Sequence, residues 1–340
     1  MGIKYLNRFL RENCPESIGH IKLEELSGKK IAIDISIYLY KYEADNVLLE
    51  NIYLMLATFR HHDIIPVFIF DGKPPAAKKE LLQKRRDDKL TAQNEYDELK
   101  DKLDTINTNN INNINNSEEA QEIVLTMNLL KKQFVSINRD KINKVKDLIR
   151  AYGATYYDAP GEADALCAML VITKRVWACL SEDMDLFVYG CNRVLRYLSL
   201  TSQSAIIYNT KGILRELNMT QKEFKDVCIL SGTDYNMKTN NLSNNIISIM
   251  QLFTEYKNDA IYDNNNTIGF YTWIINNKPT YLELGFELDF DLELLDKISK
   301  MFDFSNELFQ TFKNIKIING HIQKETIQNI MREDGFMFIN

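Results

Sequence analysis

Seven carboxylates stand where apolar stretches end or helical ones begin: Asp34, Asp71, Glu162, Asp164, Asp183, Asp185 and Asp234. The densest group lies in "VWACLSEDMDLFVYG", where an apolar run runs straight into Glu182, Asp183 and Asp185. Like charges that close raise one another's pKa, and acids fixed behind buried strands cannot all splay into water. Divalent cations would offset the repulsion. No His or Cys lies among these acids, which favours hard, oxygen-loving Mg²⁺ or Mn²⁺ over Zn²⁺. The D-x-D spacing without the later Gly and Glu is not an EF-hand loop, which argues against Ca²⁺. Seven oxygen donors suit two ions, and an ion pair about 3.5–4 Å apart can clamp both oxygens of an in-line phosphoryl displacement. The chain has 47 acids, so any one of the seven taken alone is more often a solvated surface group; the set is harder to dismiss.

Directly behind Asp71 comes "KPPAAKKELLQKRRDDK". On a helix Lys78, Arg85 and Lys89 return to nearly the same angle, with Lys79, Lys84 and Arg86 beside them. Elsewhere such a stretch is a solvated helix face. Next to a carboxylate cluster it offers cations for charge developing on a phosphate, and Arg can bind that charge bidentately.

The elements that hold these groups alternate. "KKIAIDIS", "IIPVFIFDG", "GATYYD" and "VWACL" are apolar strands; "VLLENIYLMLATFR" and "GEADALCAMLV" have helical spacing. Alternation of this kind predicts an α/β fold with a mainly parallel sheet. Ligands of such sheets bind beyond the carboxyl ends of the strands, so the acids are expected on one rim. Thr105–Ser117, "TINTNNINNINNS", is Asn-rich and low in complexity, and is expected to be an unstructured insert. An AT-rich genome explains its composition. It separates two helical stretches. Beyond about Asn209 the chain reads as helical, and Thr220 and Glu223 form a capping box.

The formal net charge is −6, so any contact with nucleic acid must be local. Five scattered cysteines without a CxxC pair argue against a disulfide framework and for a reducing interior. No apolar run approaches a membrane span, no signal peptide opens the chain, and Leu6 stands where a myristoylation signal needs Ser or Thr.

"MGIKYL", "AIDIS", "VFIFDGKPP", "DAPGEADA", "SEDMDLFVYG" and "CILSGTDY", in that order from residue 1 to about Tyr235, resemble the flap-endonuclease family of XPG-type structure-specific 5′ nucleases. The resemblance implies a PIN-like nuclease core with a helical arch. It implies that the seven acids hold two Mg²⁺ ions, although the family usually has Glu where this chain has Asp164. Lys78 and Arg85 match basic residues at the foot of the arch, which contains the Asn-rich insert. Tyr40 matches an aromatic that stacks on the base beside the cut; on its residues alone it is a core or amphipathic-helix tyrosine. Gly2 is implied to lie beside the active site at the bend in the DNA, and Lys79, Lys84, Arg86 and Lys89 to contact DNA. The organisation implied is a nuclease region in two parts, 1–104 and 118–235, split by the insert 105–117, and a helical C-terminal region, 236–340. The activity implied is two-metal cleavage of branched DNA such as 5′ flaps, inside the cell, in replication, repair or recombination. A 5′→3′ exonuclease or junction resolvase of the same superfamily shares these acids, and a PIN-like scaffold that binds without cutting would need them broken.

The resemblance fails after "GTDY". The family's Gly-rich helix-hairpin-helix is replaced by "NMKTNNLSNNIISIMQLFTEY", with no Gly between Gly232 and Gly269. Backbone amides that approach phosphates closely usually need Gly, so that subsite is degenerate or rebuilt. "QNIMREDGFMFIN" has the wrong order for a sliding-clamp peptide. A divergent member from a large DNA virus or an AT-rich eukaryote fits this composition.

Overall fold

The computed structural model describes residues 2–109, 116–235, 245–262, 269–283 and 291–338. Seven strands form one sheet: β1 (Ile18–Lys22), β2 (Lys30–Asp34), β3 (Ile65–Phe70), β4 (Thr155–Asp158), β5 (Ala178–Leu180), β6 (Arg193–Ser199) and β7 (Ser204–Asn209). Their order is β1-β7-β6-β5-β2-β3-β4. β2 pairs in parallel with β3 and β5, and β3–β4 and β5–β6 are also parallel; β7 runs antiparallel to both β6 and β1. The sheet is thus mainly parallel, as the alternation predicts.

The apolar runs follow from burial on both faces. In β2, Ala32 faces one core with Val67, Ile69 and Cys179, while Ile31 and Ile33 face the other with Phe68, Phe70 and Leu180. Continuous apolar strands leave no solvent face, so polar groups can enter only at the strand ends. Cys14, Cys167, Cys179, Cys191 and Cys228 are buried and free.

Helices cover the faces: α1 (Leu6–Asn13), α2 (Ser36–Ala44), α3 (Leu48–His61), α4 (Lys79–Asn109), α5 (Asn116–Gln133), α6 (Arg139–Ala151), α7 (Ala163–Ile172), α8 (Asp185–Val188), α9 (Thr210–Glu216) and α10 (Gln221–Leu230). Then follow α11 (Ile246–Tyr262), α12 (Phe270–Glu283), α13 (Leu292–Met301), α14 (Asn306–Phe312) and α15 (Lys324–Glu333). The capping box of Thr220 and Glu223 opens α10 as expected, and Asn138 caps α6 through the amide of Lys141.

α4 and α5 pack against each other between β3 and β4 in the chain. Met127 and Leu130 of α5 are buried with Ala92 of α4, and Tyr96 meets Phe134 edge-on. The Asn-rich run departs from expectation at its ends. It is helical through Asn109 and again from Asn116, because each end extends a helix already nucleated and paired, where propagation costs little. Residues 110–115 lie outside the described residues, as does the glycine-free run 236–244.

The C-terminal segment returns to the edge strand β4. Thr155 Oγ1 donates to Ile318 O at 3.2 Å and accepts from Ile318 N at 3.1 Å. Tyr157 OH does the same with Lys316, at 3.0 and 3.2 Å. Gly153 and Gly320 touch backbone to backbone, and Ile327 and Met331 of α15 join the core of α3 and α6. A paired and covered edge resists adventitious strand addition.

Candidate active site

The carboxyl ends of β2, β3 and β5 point to one rim, and the acids meet there. Asp34 ends β2, Asp71 follows β3, and Asp183 and Asp185 follow β5. Glu162 is the N-cap residue of α7, Asp164 sits in its first turn, and Asp234 follows α10. A lattice of hydrogen bonds fixes them. Asp34 Oδ2 accepts from Ser181 Oγ at 2.8 Å, and Asp71 accepts from the Ala163 amide at 2.8 Å and from Ser36 Oγ. Asp183 Oδ1 accepts from the Asp185 amide at 3.0 Å. Both side-chain oxygens of Asp185 are buried without a hydrogen-bond partner among the described residues.

Two arch cations reach this rim. Lys78 Nζ lies 2.8 Å from Glu162 Oε1 and 3.8 Å from Asp234 Oδ2, and Arg85 Nη2 lies 3.1 Å from the same Asp234 oxygen. Lys78 belongs to a 3-10 turn, Ala76–Lys78, that runs into α4, rather than to the helix itself. The turn directs its side chain inward, where it is buried. Burial alone would lower the Lys78 ammonium pKa, but Glu162, Tyr235, Asp164 and Asp185 hold it well above its ordinary value.

The acids carry the opposite strain. Burial, then the charge of Asp71, raises Asp34 to about 7, against relief from Ser181. Burial and Asp183 raise both Asp164 and Asp185, with Lys78 pulling the other way. Buried carboxylates that repel each other, with unpartnered oxygens on Asp185, make an all-oxygen donor set that fits hard divalent cations. Among the described residues no three His, Cys, Asp or Glu side chains are already drawn into a closed ligand set. Lys78 and Arg85 neutralise part of the charge.

The remaining sequence candidates divide. Gly2 lies against the acids with φ +75°; a Cβ there would sit 2.6 Å from Asp185 Oδ1 and 2.8 Å from Asp183 Oδ1. Tyr40, on α2, is exposed, and Lys89 Nζ lies 5.2 Å from its ring centre while donating to Val135 O. Lys79, Lys84 and Arg86 are exposed on α4 and pair with none of the acids.

Glu182 leaves the acidic group. It turns toward Arg196, 3.4 Å away, and accepts from the Tyr197 amide. Arg196, buried, also donates to Glu182 O at 3.0 Å and Asn7 Oδ1 at 2.6 Å, and so anchors the loop that carries Asp183. Sequence reasoning missed Arg196, Ser36, Ser181 and Tyr235. Tyr235 OH donates to Glu162 Oε2 at 2.8 Å, and its ring lies 4.7 Å from Lys78 Nζ. Ser36, Ser181 and Tyr235 were findable as polar neighbours of the acids within their own motifs; nothing local marks Arg196.

The rim is accompanied by sequence and fold likeness. Family models for the XPG N-terminal domain and the XPG I-region match residues 1–92 and 153–234. Flap endonuclease 1 of Lodderomyces elongisporus is 32% identical over 254 residues, 69% of this chain and 61% of that protein. That of Zea mays is 34% identical over 257 residues, 69% and 62% of the two chains. The chain therefore spans about three-fifths of the length of these relatives. The fold is similar to the catalytic core of Rad2 in complex with DNA substrate, with TM-score 0.60 at 18% identity over 97% of this chain and 95% of that one. It is also similar to the Holliday junction-resolving enzyme GEN1 in complex with product DNA and Mg²⁺, with TM-score 0.59 at 18% identity over 95% and 72%. The two matched regions contain the acids described above, Asp34 and Asp71 lying in the first and Glu162 through Asp234 in the second, and the chain belongs to the XPG-type flap endonuclease family.

Proposed function

We propose that the chain is a structure-specific 5′ nuclease that hydrolyses phosphodiesters of branched DNA, 5′ flaps in particular, leaving a 5′ phosphate and a 3′ hydroxyl. The observation that carries this is the meeting of seven carboxylates from five parts of the chain with two cations, Lys78 and Arg85, from the segment that opens the arch. Asp34, Asp71, Glu162, Asp164, Asp183, Asp185 and Asp234 would hold two Mg²⁺ ions, with Mn²⁺ able to substitute. Ions bound there supply charge neutralisation and an acidified water for in-line displacement.

The chain's own groups do the rest. Ser181 and Ser36 orient Asp34 and Asp71. Lys78 and Arg85, held on Glu162 and Asp234 in the free protein, are available to charge building on the scissile phosphate. Tyr235 keeps Glu162 in place. Gly2 allows the chain to approach Asp183 and Asp185 more closely than any Cβ would permit. The exposed Tyr40 ring, already near a lysine, offers a face for a nucleobase, and Lys79, Lys84 and Arg86 offer phosphate contacts on the outer side of the arch. Such an enzyme works inside the cell where DNA is replicated, repaired or recombined.

The test is incubation with end-labelled flap, nicked, gapped and four-way DNA, in Mg²⁺ or in EDTA. Magnesium-dependent cutting near the branch of the flap is expected. Preferential cutting of the four-way junction would favour a resolvase, and release of mononucleotides an exonuclease. No cutting of any substrate would overturn the proposal.

A further inference from the structure

On the rim opposite the acids lies a cleft of about 630 Å³, where β2, β5 and β6 begin and β7 ends. Lys29, Lys30, Lys174, Arg175, Lys211 and Arg215 line it, and Arg193 lies with its guanidinium 4.9 Å from the ring centre of Trp177. No Asp or Glu is among its lining residues. These seven cations are exposed, and among the described residues none has an acidic partner. In a chain of net charge −6, a concave site of unpaired cations is out of keeping with the rest of the surface.

Local structure maintains the arrangement. Lys174 holds φ 60°, a left-handed conformation that Gly or Asn adopts more easily. The turn that results ends α7 and aims Lys174 and Arg175 at the cleft. Trp177 is half-buried, and its amide donates to Lys30 O at 2.7 Å, which fixes the indole at the cleft wall. Complementing the carboxyl end of α7 accounts for Lys174 and Arg175 but not for Lys29, Lys30, Arg193 or Lys211, which come from other elements.

We propose that this cleft binds single-stranded nucleic acid, with phosphates on the lysines and a base against the Arg193–Trp177 pair. A cationic groove with an aromatic wall is the arrangement that holds single strands without reading sequence. A duplex turns its bases inward and presents a convex ridge, so it would leave the indole unused. Lys30 and Asp34 are the two ends of β2, about 13 Å apart at ~3.3 Å per residue, so the cleft cannot be part of the acidic site. It is a second, separate contact for an unpaired arm. Only the choice of ligand rests on the reading of the chain as a DNA nuclease.

Trp177 and Trp273 are the two tryptophans, so Trp273→Phe leaves Trp177 as the reporter. In full-length Trp273→Phe protein with EDTA, an oligothymidylate of about 12 nucleotides, within the ~4–16 that such grooves occupy, should quench the fluorescence saturably. Lys174→Glu/Arg175→Glu should weaken that binding at least tenfold and lower the salt slope by about 1.4, two contacts at ~0.7 each. Lys211→Glu should weaken it severalfold and serves if the double variant does not fold. Absence of quenching, unchanged affinity in the folded variants, equal binding by a blunt duplex, or tighter binding by polyglutamate would each overturn the proposal. In Mg²⁺, a flap substrate with a short arm should be cut at the same rate by these variants as by their parent. If no substrate is cut at all, the nuclease reading falls while the fluorescence result still decides the cleft.

Discussion

The ammonium of Lys78 and the carboxylate of Glu162 meet at 2.8 Å, joining the foot of the arch to the N-cap of α7 across 84 residues of chain. The side chains are only 6% and 20% exposed. A buried pair of this kind adds little net stability over an apolar substitute, but removing one partner strands the other.

Lys78→Ala should therefore cost both activity and fold. It leaves Glu162 without its cation and Asp234 with Arg85 alone, for a loss of about 3–5 kcal/mol if the site cannot relax, and slows cleavage by ~10²–10³-fold. Arg85 is more exposed, so Arg85→Ala should slow cleavage comparably with little change in Tm. Single-turnover rates and thermal melts of both variants check the split.

Asp183→Asn and Asp71→Asn should abolish measurable cleavage, at least the ~100-fold that even an outer-shell partner can cost, while DNA binding in EDTA persists. Removing one repelling charge leaves Tm unchanged or raised. Wild-type rates in saturating Mg²⁺ would show that these acids hold no essential ion.

The metal-free protein should gain stability as pH falls from 8 toward 5. Asp34 is raised to about 7 from an ordinary value of 3.8, and Asp164 and Asp185 are raised too. An acid whose pKa is higher in the folded state binds its proton there first. The contribution is thus full below about pH 4 and lost as pH rises through about 7. Saturating Mg²⁺ should flatten the dependence by stabilising the ionised form at high pH. Melting curves in EDTA and in Mg²⁺ across this range make the comparison.

Gly2→Ala should lower the cleavage rate at least tenfold. Its Cβ would displace Asp183 or Asp185, and φ +75° strains any L side chain. Stability should fall by about 1–2 kcal/mol. An extension left on Met1 should likewise impair cleavage more than the same extension on the C-terminus.

Gly153→Ala should destabilise the protein without touching the chemistry. The new Cβ would lie 2.5 Å from Gly320 C at φ +73°, pushing the C-terminal segment off β4. A loss of ~1–3 kcal/mol with an unchanged rate for the folded fraction is expected, and early proteolysis near residue 320 would mark the detached segment.

Much of this site was legible in the sequence because its geometry is local to strand ends. An apolar run buried on both faces can place a carboxylate only where it stops, so Asp34, Asp71, Asp183 and Asp185 announce their rim by position alone. Basic residues behind Asp71 marked a cationic helix face beside the acids, and the arch itself came from the family resemblance. The long-range partners were not legible. Whether Lys78 meets Glu162, whether Glu182 joins the acids or turns to Arg196, and whether residues 315–323 close over β4 depend on contacts between segments more than 10 residues apart, often more than 80. The cleft of opposite charge was equally hidden, since its cations come from the starts of β2 and β6, the turn after α7, and α9. Periodicity and capping act over a few residues and determine elements; only the order of strands in the sheet decides which ends become neighbours, and so which charges share a rim.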